Sequence, residues 1–531
     1  MVISDLGVVA TSQILASQAA TQILARGGSA MDAAIAANIV LCVVEPMSCG
    51  LGGDLFALYR EAKTARITGI NASGWSPRGF TPGALAAAGV TGVPQYGIHS
   101  TTVPGCVDGW AKLHARFGRV PWPDLFQAAI YHADHGFAVT ELAGEGWHCE
   151  ADRVAADANS RKVYYPGGLA PRVGQRFANP QMGAALKAIA RGRAEVFYRG
   201  EIAAAIVRTS ARLGGTLAAD DLGEFESEWV RPISTQYRGW SIYELPPNGQ
   251  GIAALEMLNI LSSFPLASLP ARGAEELHLQ IEAQKLAYAD LHRFVADPRV
   301  SRVPVAELLS AAYARQRAAL IDPTRAVDGE RPGNPLPAQG DTVNLAVVDR
   351  EGNIASLIQS VFKYFGSGVT VDDYGFALQN RAATFETDPA HPNALGPRKR
   401  PFQTIIPALM ENGHQQIGFG IMGGLNQAQA HAQFVCNLLD HGMNLQAAVD
   451  APRFSRLTFG GREVTIESRV PPAVRAALEA KGHQLNVVGD YSSVMGGAQV
   501  VMRDALQGLH YGASDPRKDG AALAEVPAYF G

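Results

Sequence analysis

The sequence has little charge, and neither sign dominates. Of 531 residues, 45 are Lys or Arg and 49 are Asp or Glu, so 18% are charged and the net charge is −4. Nucleic-acid-binding domains usually carry a clustered basic excess, and disordered chains lack apolar residues. Because 47% of the residues are hydrophobic, the composition predicts a folded protein without a nucleic-acid partner.

Cysteine is also scarce. The five cysteines form no CxxC pair, and the thirteen histidines are scattered without an HExxH motif. Disulfide frameworks and common metal motifs are recognised by paired ligands at short, regular spacing. The sequence therefore predicts reduced thiols, no metal and no cofactor.

No hydrophobic run is long enough for a membrane span. The longest, residues 33–44, contains Asn38 and falls short of the roughly 20 residues that a spanning helix needs. No Lys or Arg precedes Arg26, whereas a secretory signal starts with positive charge. These absences predict a cytoplasmic protein with no membrane partner.

Apolar periodicity, capping residues and turn signals predict the regular elements. Ser29 is a suitable N-cap, and Gly27-Gly28 is a typical helix end. The pattern predicts helices over residues 12–26, 31–44 and 275–297, and strands over residues 55–60 and 65–70.

The composition changes abruptly before residue 341. Residues 328–340, DGERPGNPLPAQG, hold three prolines and three glycines, which excludes a helix or an interior strand. Strand-forming residues follow at 342–349 and 354–362, separated by a turn at 351–353. The sequence therefore predicts an exposed linker that leads directly into a β-hairpin.

Thr342 begins this hairpin. A hydroxyl is a weak nucleophile unless a base lies beside it, and a threonine with a free α-amine carries both groups on one residue. This chemistry requires cleavage of the Asp341–Thr342 bond, which the same hydroxyl can perform by attacking the preceding carbonyl. Taken alone, the pattern also fits an ordinary interdomain linker followed by a strand.

The segment DTVNLAVVDREGNIASLIQSVFKYFGSG resembles the nucleophile region of γ-glutamyltranspeptidases, a family of N-terminal-nucleophile hydrolases. Further similar blocks follow the family's order along nearly the whole chain, including GGSAMDAAIAANIVLCVVEPMSCGLGGD, PPNGQGIAALEMLNIL, KRPFQTIIPAL and GIMGGLNQAQ. The NASG and QNR variants of two motifs are similar to a shorter, unsecreted bacterial branch.

The resemblance implies an α+β fold, the four-layer αββα sandwich. It also implies self-cleavage into a large subunit, 1–341, and a small subunit, 342–531, intertwined in one domain as a heterodimer. Further pairing of heterodimers stays open. The expected partner is a small-molecule amide substrate.

The resemblance also implies catalytic roles. Thr342 would be the nucleophile, and Ser360 would place a second hydroxyl beside it. Gly423 and Gly424 match the glycine pair whose backbone N–H groups hold the oxyanion, a contribution worth several kcal/mol in general. The structural alternatives are a plain tight turn for the glycines and a solvent-facing strand position for Ser360.

The substrate-binding positions depart from the γ-glutamyl pattern. Ser73 stands where the family has an arginine for the α-carboxylate, and Thr384 stands where it has an aspartate for the α-ammonium. Phe362 replaces an asparagine, and Gln403-Thr404 replaces a serine pair. Losing both charge partners of a zwitterion costs several kcal/mol, so a different acyl group is expected.

Arg381, beside Thr384, is the candidate that can bind a substrate carboxylate instead, although a structural ion pair explains it equally well.

Three functional hypotheses follow. The first is a self-processing threonine amidohydrolase with a non-standard acyl group. The second is a glutathione hydrolase or γ-glutamyl transpeptidase that binds its substrate with other residues, and the third is an uncleaved, non-catalytic homologue.

Overall fold

The computed structural model describes residues 1–328 and 341–527. Apart from Asp328, the predicted linker therefore lies outside the described residues. Two seven-stranded antiparallel sheets form the centre of the molecule. In spatial order, the first consists of Ala521–Ala524, Val8–Thr11, Asp341–Val348, Ile354–Phe362, Asp54–Arg60, Ile67–Ala72 and Glu228–Val230. The second consists of Val2–Ser4, Leu509–Ser514, Ala498–Asp504, Gln415–Ile421, Ala408–Glu411, Trp240–Glu244 and Ile233–Tyr237.

The two sheets pack face to face through alternate apolar side chains. Phe56 and Ile358 of the first sheet lie in one buried cluster with Leu409 and Val501 of the second. Because successive strand residues point to opposite faces, the other faces of both sheets are left for helices.

Helices cover both outer faces. Those that cover the first sheet include Ile14–Ala25, Ala30–Val44, Cys106–Phe117, Gln127–His135, Pro180–Tyr198 and Glu201–Arg212. Those that cover the second include Gly251–Leu261, Ala274–Phe294, Ala311–Ala318, Asn426–Leu439 and Leu445–Asp450. The result is the four-layer αββα sandwich that the resemblance implied.

Shorter elements complete the described chain. The remaining α-helices are Pro82–Ala87, Glu141–Cys149, Ala151–Val154, Ala158–Tyr164, Ala219–Gly223, Val305–Leu308 and Pro472–Ala480. A small sheet joins Phe454–Ser455, Glu463–Glu467 and Gln484–Val488, and Phe137–Ala138 pairs with Arg176–Phe177. Within the described residues, no helix is both long and apolar enough to cross a bilayer.

The locally encoded elements match their predictions closely. Ser29 caps Ala30–Val44: its hydroxyl accepts from the Asp32 N–H at 3.1 Å, and the Asp32 carboxylate accepts from the Ser29 N–H at 2.9 Å. The strand predicted from residue 65 begins at Ile67 because Ala65 has φ +56° and belongs to the turn. The helix predicted to reach residue 297 ends at Phe294, which agrees with the bias of residues before Pro298 away from helix.

The predicted hairpin occupies the middle of the first sheet. Asp341–Val348 pairs with Val8–Thr11 on one side and with Ile354–Phe362 on the other. Strands from before and after position 341 therefore lie side by side in the same sheet. The predicted large and small subunits form one interleaved structure, and their separation at residue 341 stays a prediction.

Candidate active site

Thr342 lies at an irregularity in the hairpin. Asp341 pairs with Phe362, but the next paired residue, Val343, lies opposite Gln359, so the register shifts at Thr342. Such bulges re-aim side chains and are common beside active sites. Thr342 is 1% exposed, and its hydroxyl therefore lies in a water-poor environment.

Two buried polar groups contact this hydroxyl. Thr342 Oγ1 donates to Ser360 Oγ at 3.3 Å and accepts from Gln427 Nε2 at 3.4 Å. Ser360 Oγ also accepts from the Phe362 N–H at 2.7 Å. Gln427 Oε1 accepts from the Ile406 N–H at 3.1 Å, which fixes the amide orientation. Ser360 is fully buried beside Thr342 and does not face solvent.

Gly423 and Gly424 form the turn between the strand Gln415–Ile421 and the helix Asn426–Leu439. Their φ angles are +122° and +59°, a region that favours glycine. Among the described residues, no acceptor takes a hydrogen bond from either backbone N–H. Two free N–H groups at a helix N-terminus attract negative charge, so this turn can hold an oxyanion.

A buried histidine holds the strand that leads into this turn. His431 Nε2 accepts from the Ile421 N–H at 3.0 Å, so its Nδ1–H donates to Glu244 Oε1 at 2.7 Å. Burial lowers the pKa of His431 to about 3, and the imidazole is neutral. His431 therefore positions the chain two residues before Gly423.

Arg381 is a fully buried cation next to the hairpin. Its Nη1 donates to Thr404 Oγ1 at 2.8 Å, and its guanidinium carbon lies 4.4 Å from the centroid of the Phe362 ring. Nε and Nη2 have no hydrogen-bond partner among the described residues. Burial lowers the pKa of Arg381 to about 10 against the opposing effect of the Asp54 charge. The guanidinium thus stays charged at neutral pH with two donors available.

Asp54 is the acidic group whose charge acts on Arg381. Its carboxylate accepts from the Gly74 N–H at 2.8 Å, from Gln379 Nε2 at 2.9 Å and from Gln403 Nε2. Burial raises the pKa of Asp54 to about 6, with Arg381 and the three donors acting in the opposite direction. Asp54 is therefore already surrounded by N–H donors.

The structure brings most of the predicted substrate-binding residues into this network. Thr404 contacts Arg381 directly, and Gln403 donates to Asp54, whose charge acts on Arg381. Ser73 is buried next to Gly74, and its hydroxyl donates to Asn71 Oδ1 at 2.7 Å. The Thr384 hydroxyl shares its one proton between the backbone carbonyls of residues 381 and 402, so it stabilises the turn that carries Arg381.

Sequence reasoning missed Gln427 and Asp54. Gln427 is 85 residues from Thr342 along the chain, and no spacing rule connects the two. The sequence feature that could have identified Gln427 is its position. It lies three residues after Gly424, in the first turn of the helix Asn426–Leu439.

The chain is similar to known proteins over most of its length. The family model described as gamma-glutamyltranspeptidase matches residues 16–525. The chain belongs to the gamma-glutamyltranspeptidase family. It is therefore an enzyme, an amide-bond hydrolase or acyltransferase, as the family resemblance implied.

Three known proteins are similar to this chain over nearly its whole length. The glutathione hydrolase-like YwrD proenzyme of Bacillus subtilis is 36% identical over 98% of this chain and 99% of its own. The oxamate amidohydrolase proenzyme of Klebsiella pneumoniae is 34% identical over 98% of both chains. The crystal structure of cephalosporin acylase from Bacillus halodurans superimposes with a TM-score of 0.92 at 40% identity, covering 98% of this chain and 96% of that one.

Proposed function

We propose that this protein is a self-processing threonine amidohydrolase that acts on small amides whose acyl group carries a carboxylate. The observation that carries the proposal is the buried Thr342 hydroxyl, held between Ser360 and Gln427 at a hairpin start. The proenzyme names of the relatives support a maturation step.

Maturation would begin with attack of Thr342 Oγ1 on the carbonyl carbon of Asp341. The peptide C–N bond breaks as the new ester bond forms, and the released nitrogen takes the hydroxyl proton. Water then hydrolyses the ester, which leaves residues 1–341 with a carboxylate and residues 342–531 with a free α-amine. The interleaved strands would keep both products together as a heterodimer.

Turnover would use the same hydroxyl. The free α-amine, with an ordinary pKa of about 7.7–8.0, takes the proton as Oγ1 attacks the substrate carbonyl. The N–H groups of Gly423 and Gly424 stabilise the oxyanion. Collapse expels the amine, which leaves with that proton, and water hydrolyses the threonyl ester to the free acid.

The acyl preference is argued from Arg381. A buried guanidinium with two available donors matches the two oxygens of a carboxylate. Asp54 is the acidic residue whose charge acts on Arg381, and its carboxylate already accepts three hydrogen bonds. An ammonium group on the substrate would therefore gain little from Asp54. Oxamate, in the name of one relative, is an amide with a carboxylate and no ammonium on its acyl side.

Three matched substrates test this proposal. Glutaryl-p-nitroanilide carries the carboxylate alone, γ-glutamyl-p-nitroanilide adds an ammonium group, and pentanoyl-p-nitroanilide has neither. We expect kcat/KM to be highest for the glutaryl compound. A preference for the γ-glutamyl compound would instead support the second candidate, a glutathione hydrolase, which the name of the 36% identical relative favours. Absence of turnover on every amide tested would support a non-catalytic homologue.

A further inference from the structure

A second cluster of reactive side chains is buried outside the candidate active site. His278 and Glu282 are one turn apart on the helix Ala274–Phe294, and His483 lies between the helix Pro472–Ala480 and the strand Gln484–Val488. All three are buried, and one potential ligand atom from each lies within 4.8 Å of the other two.

Hydrogen bonds define how the two imidazoles face each other. His278 Nε2 lies 2.8 Å from the backbone carbonyl of Asp322, which only accepts, so Nε2 carries the proton. In the neutral ring, His278 Nδ1 then accepts a hydrogen bond from His483 Nε2–H at 2.8 Å, which a metal bound at His278 Nδ1 would replace. His483 Nδ1 is buried without a partner in the described parts of the chain.

The hydrogen bonds leave each neutral ring with its lone pair on Nδ1. For His278 this follows from the proton on Nε2, and for His483 from the donation by its Nε2. Neutral imidazoles bind transition metals, and a ligating histidine commonly donates its other N–H to a carbonyl, as His278 does here.

We propose that His278, Glu282 and His483 bind a divalent transition metal of the Zn²⁺ type. Two imidazoles and one carboxylate form a donor set that suits this ion, with a fourth position left for water or another ligand. The proposal does not depend on the nucleophile assigned to Thr342.

The positive charge of Lys285 lowers the affinity of this site for a metal cation. Its ammonium lies 2.6 Å from Glu282 Oε1, whereas Glu282 Oε2 accepts only a long contact of 3.4 Å from the Val327 N–H. A metal would take the less engaged oxygen and would still be repelled by the ammonium a few ångströms away. Removing the charge of Lys285 should therefore strengthen metal binding.

The position of the cluster gives the metal a structural role. His278 and Glu282 precede Thr342 in the chain, His483 follows it, and the carbonyl that supports His278 belongs to Asp322. A metal at this point would join parts of the chain on either side of residue 342. Metal binding should therefore raise the melting temperature.

The test is Zn²⁺ titration of the full-length protein after chelator treatment, followed by calorimetry and a thermal melt. We expect one Zn²⁺ per chain and a higher Tm. His278→Ala and His483→Gln should each weaken binding about tenfold or more, because each removes a ligand. Lys285→Gln should tighten binding about tenfold.

His510→Ala is the matched control, since His510 is also buried and bonds a backbone carbonyl, that of Leu6. It should bind Zn²⁺ like the parent protein. His483→Gln retains a side chain of similar size in case the smaller substitution does not fold. The proposal is overturned if the parent binds no Zn²⁺, if the histidine variants bind as tightly as the parent, or if Lys285→Gln weakens binding.

Discussion

Replacing Arg381 by methionine separates substrate selectivity from general activity. In the native chain, Arg381 offers two buried donors, Nε and Nη2, with no partner in the described structure. Each hydrogen bond to a charged group contributes about 1.5–3 kcal/mol. Two such bonds to an acyl carboxylate amount to about 3–6 kcal/mol, which at 1.4 kcal/mol per tenfold change corresponds to roughly 10²–10⁴ in kcat/KM.

The assay compares glutaryl-p-nitroanilide with pentanoyl-p-nitroanilide, which differ by one carboxylate. Arg381→Met should lower kcat/KM for the glutaryl compound by roughly 10²–10⁴ and leave the pentanoyl value within about threefold. Removing two unsatisfied buried donors, each of which costs about 1–3 kcal/mol, offsets the loss of the hydrogen bond to Thr404 and of the cation that opposes the rise in the pKa of Asp54, so stability should change little. A thermal melt of the variant checks this second expectation.

Arg456→Met provides the matched control. Arg456 is equally buried, but its guanidinium is occupied by Gln284 and by the carbonyls of Gly460, Gly461 and Glu463. This variant should lose stability and keep the native ratio between the two substrates. If Arg381→Met lowered both kcat/KM values equally, or kept full selectivity for the glutaryl compound, Arg381 would not be the carboxylate-binding group.

Three further predictions concern Asp54, Gly423 and Gln427. Burial raises the pKa of Asp54 to about 6 in the folded protein, above the value of about 4 in the unfolded chain. The contribution of Asp54 to stability is therefore complete below about pH 4 and is lost as the pH rises through 6. Relative to Asp54→Asn, the free energy of unfolding measured by urea denaturation should fall by about 3 kcal/mol over that range. Gly423 has φ +122°, and a Cβ there would lie 3.2 Å from the Gly496 Cα, so Gly423→Ala should displace its backbone N–H and lower kcat by up to about 10²–10³, the effect of losing one oxyanion donor. Gly442→Ala, at a φ of +63° with nothing within 4 Å of an added Cβ, should not. Gln427→Leu removes one hydrogen bond to the Thr342 hydroxyl and should slow turnover about tenfold; an unchanged rate would exclude this positioning role.

Local signals in the sequence predicted the parts of the fold that depend on neighbouring residues. Ser29 and Asp32 are three residues apart, so the capping box could be recognised directly. The hairpin at 342–362 was equally visible, because its strands are joined by a short turn. The α+β sandwich itself came from the family resemblance, since periodicity alone does not determine how two sheets pack.

Contacts between distant residues were beyond the same reasoning. Gln427 reaches Thr342 across 85 positions, and His278 contacts His483 across 205. These pairs meet only because the two sheets and the helices above them pack in one arrangement. The sequence suggested Arg381 as a carboxylate-binding residue, but only the fold reveals its burial and its two available donors.

Intact mass spectrometry of the purified protein tests the central claim most directly. The account predicts two polypeptides, residues 1–341 and 342–531, with the second beginning TVNLAVVD, and a single uncleaved chain for Thr342→Ala. An amide-hydrolysing protein with an unbroken bond between residues 341 and 342 would contradict it, as would a new terminus at any other residue.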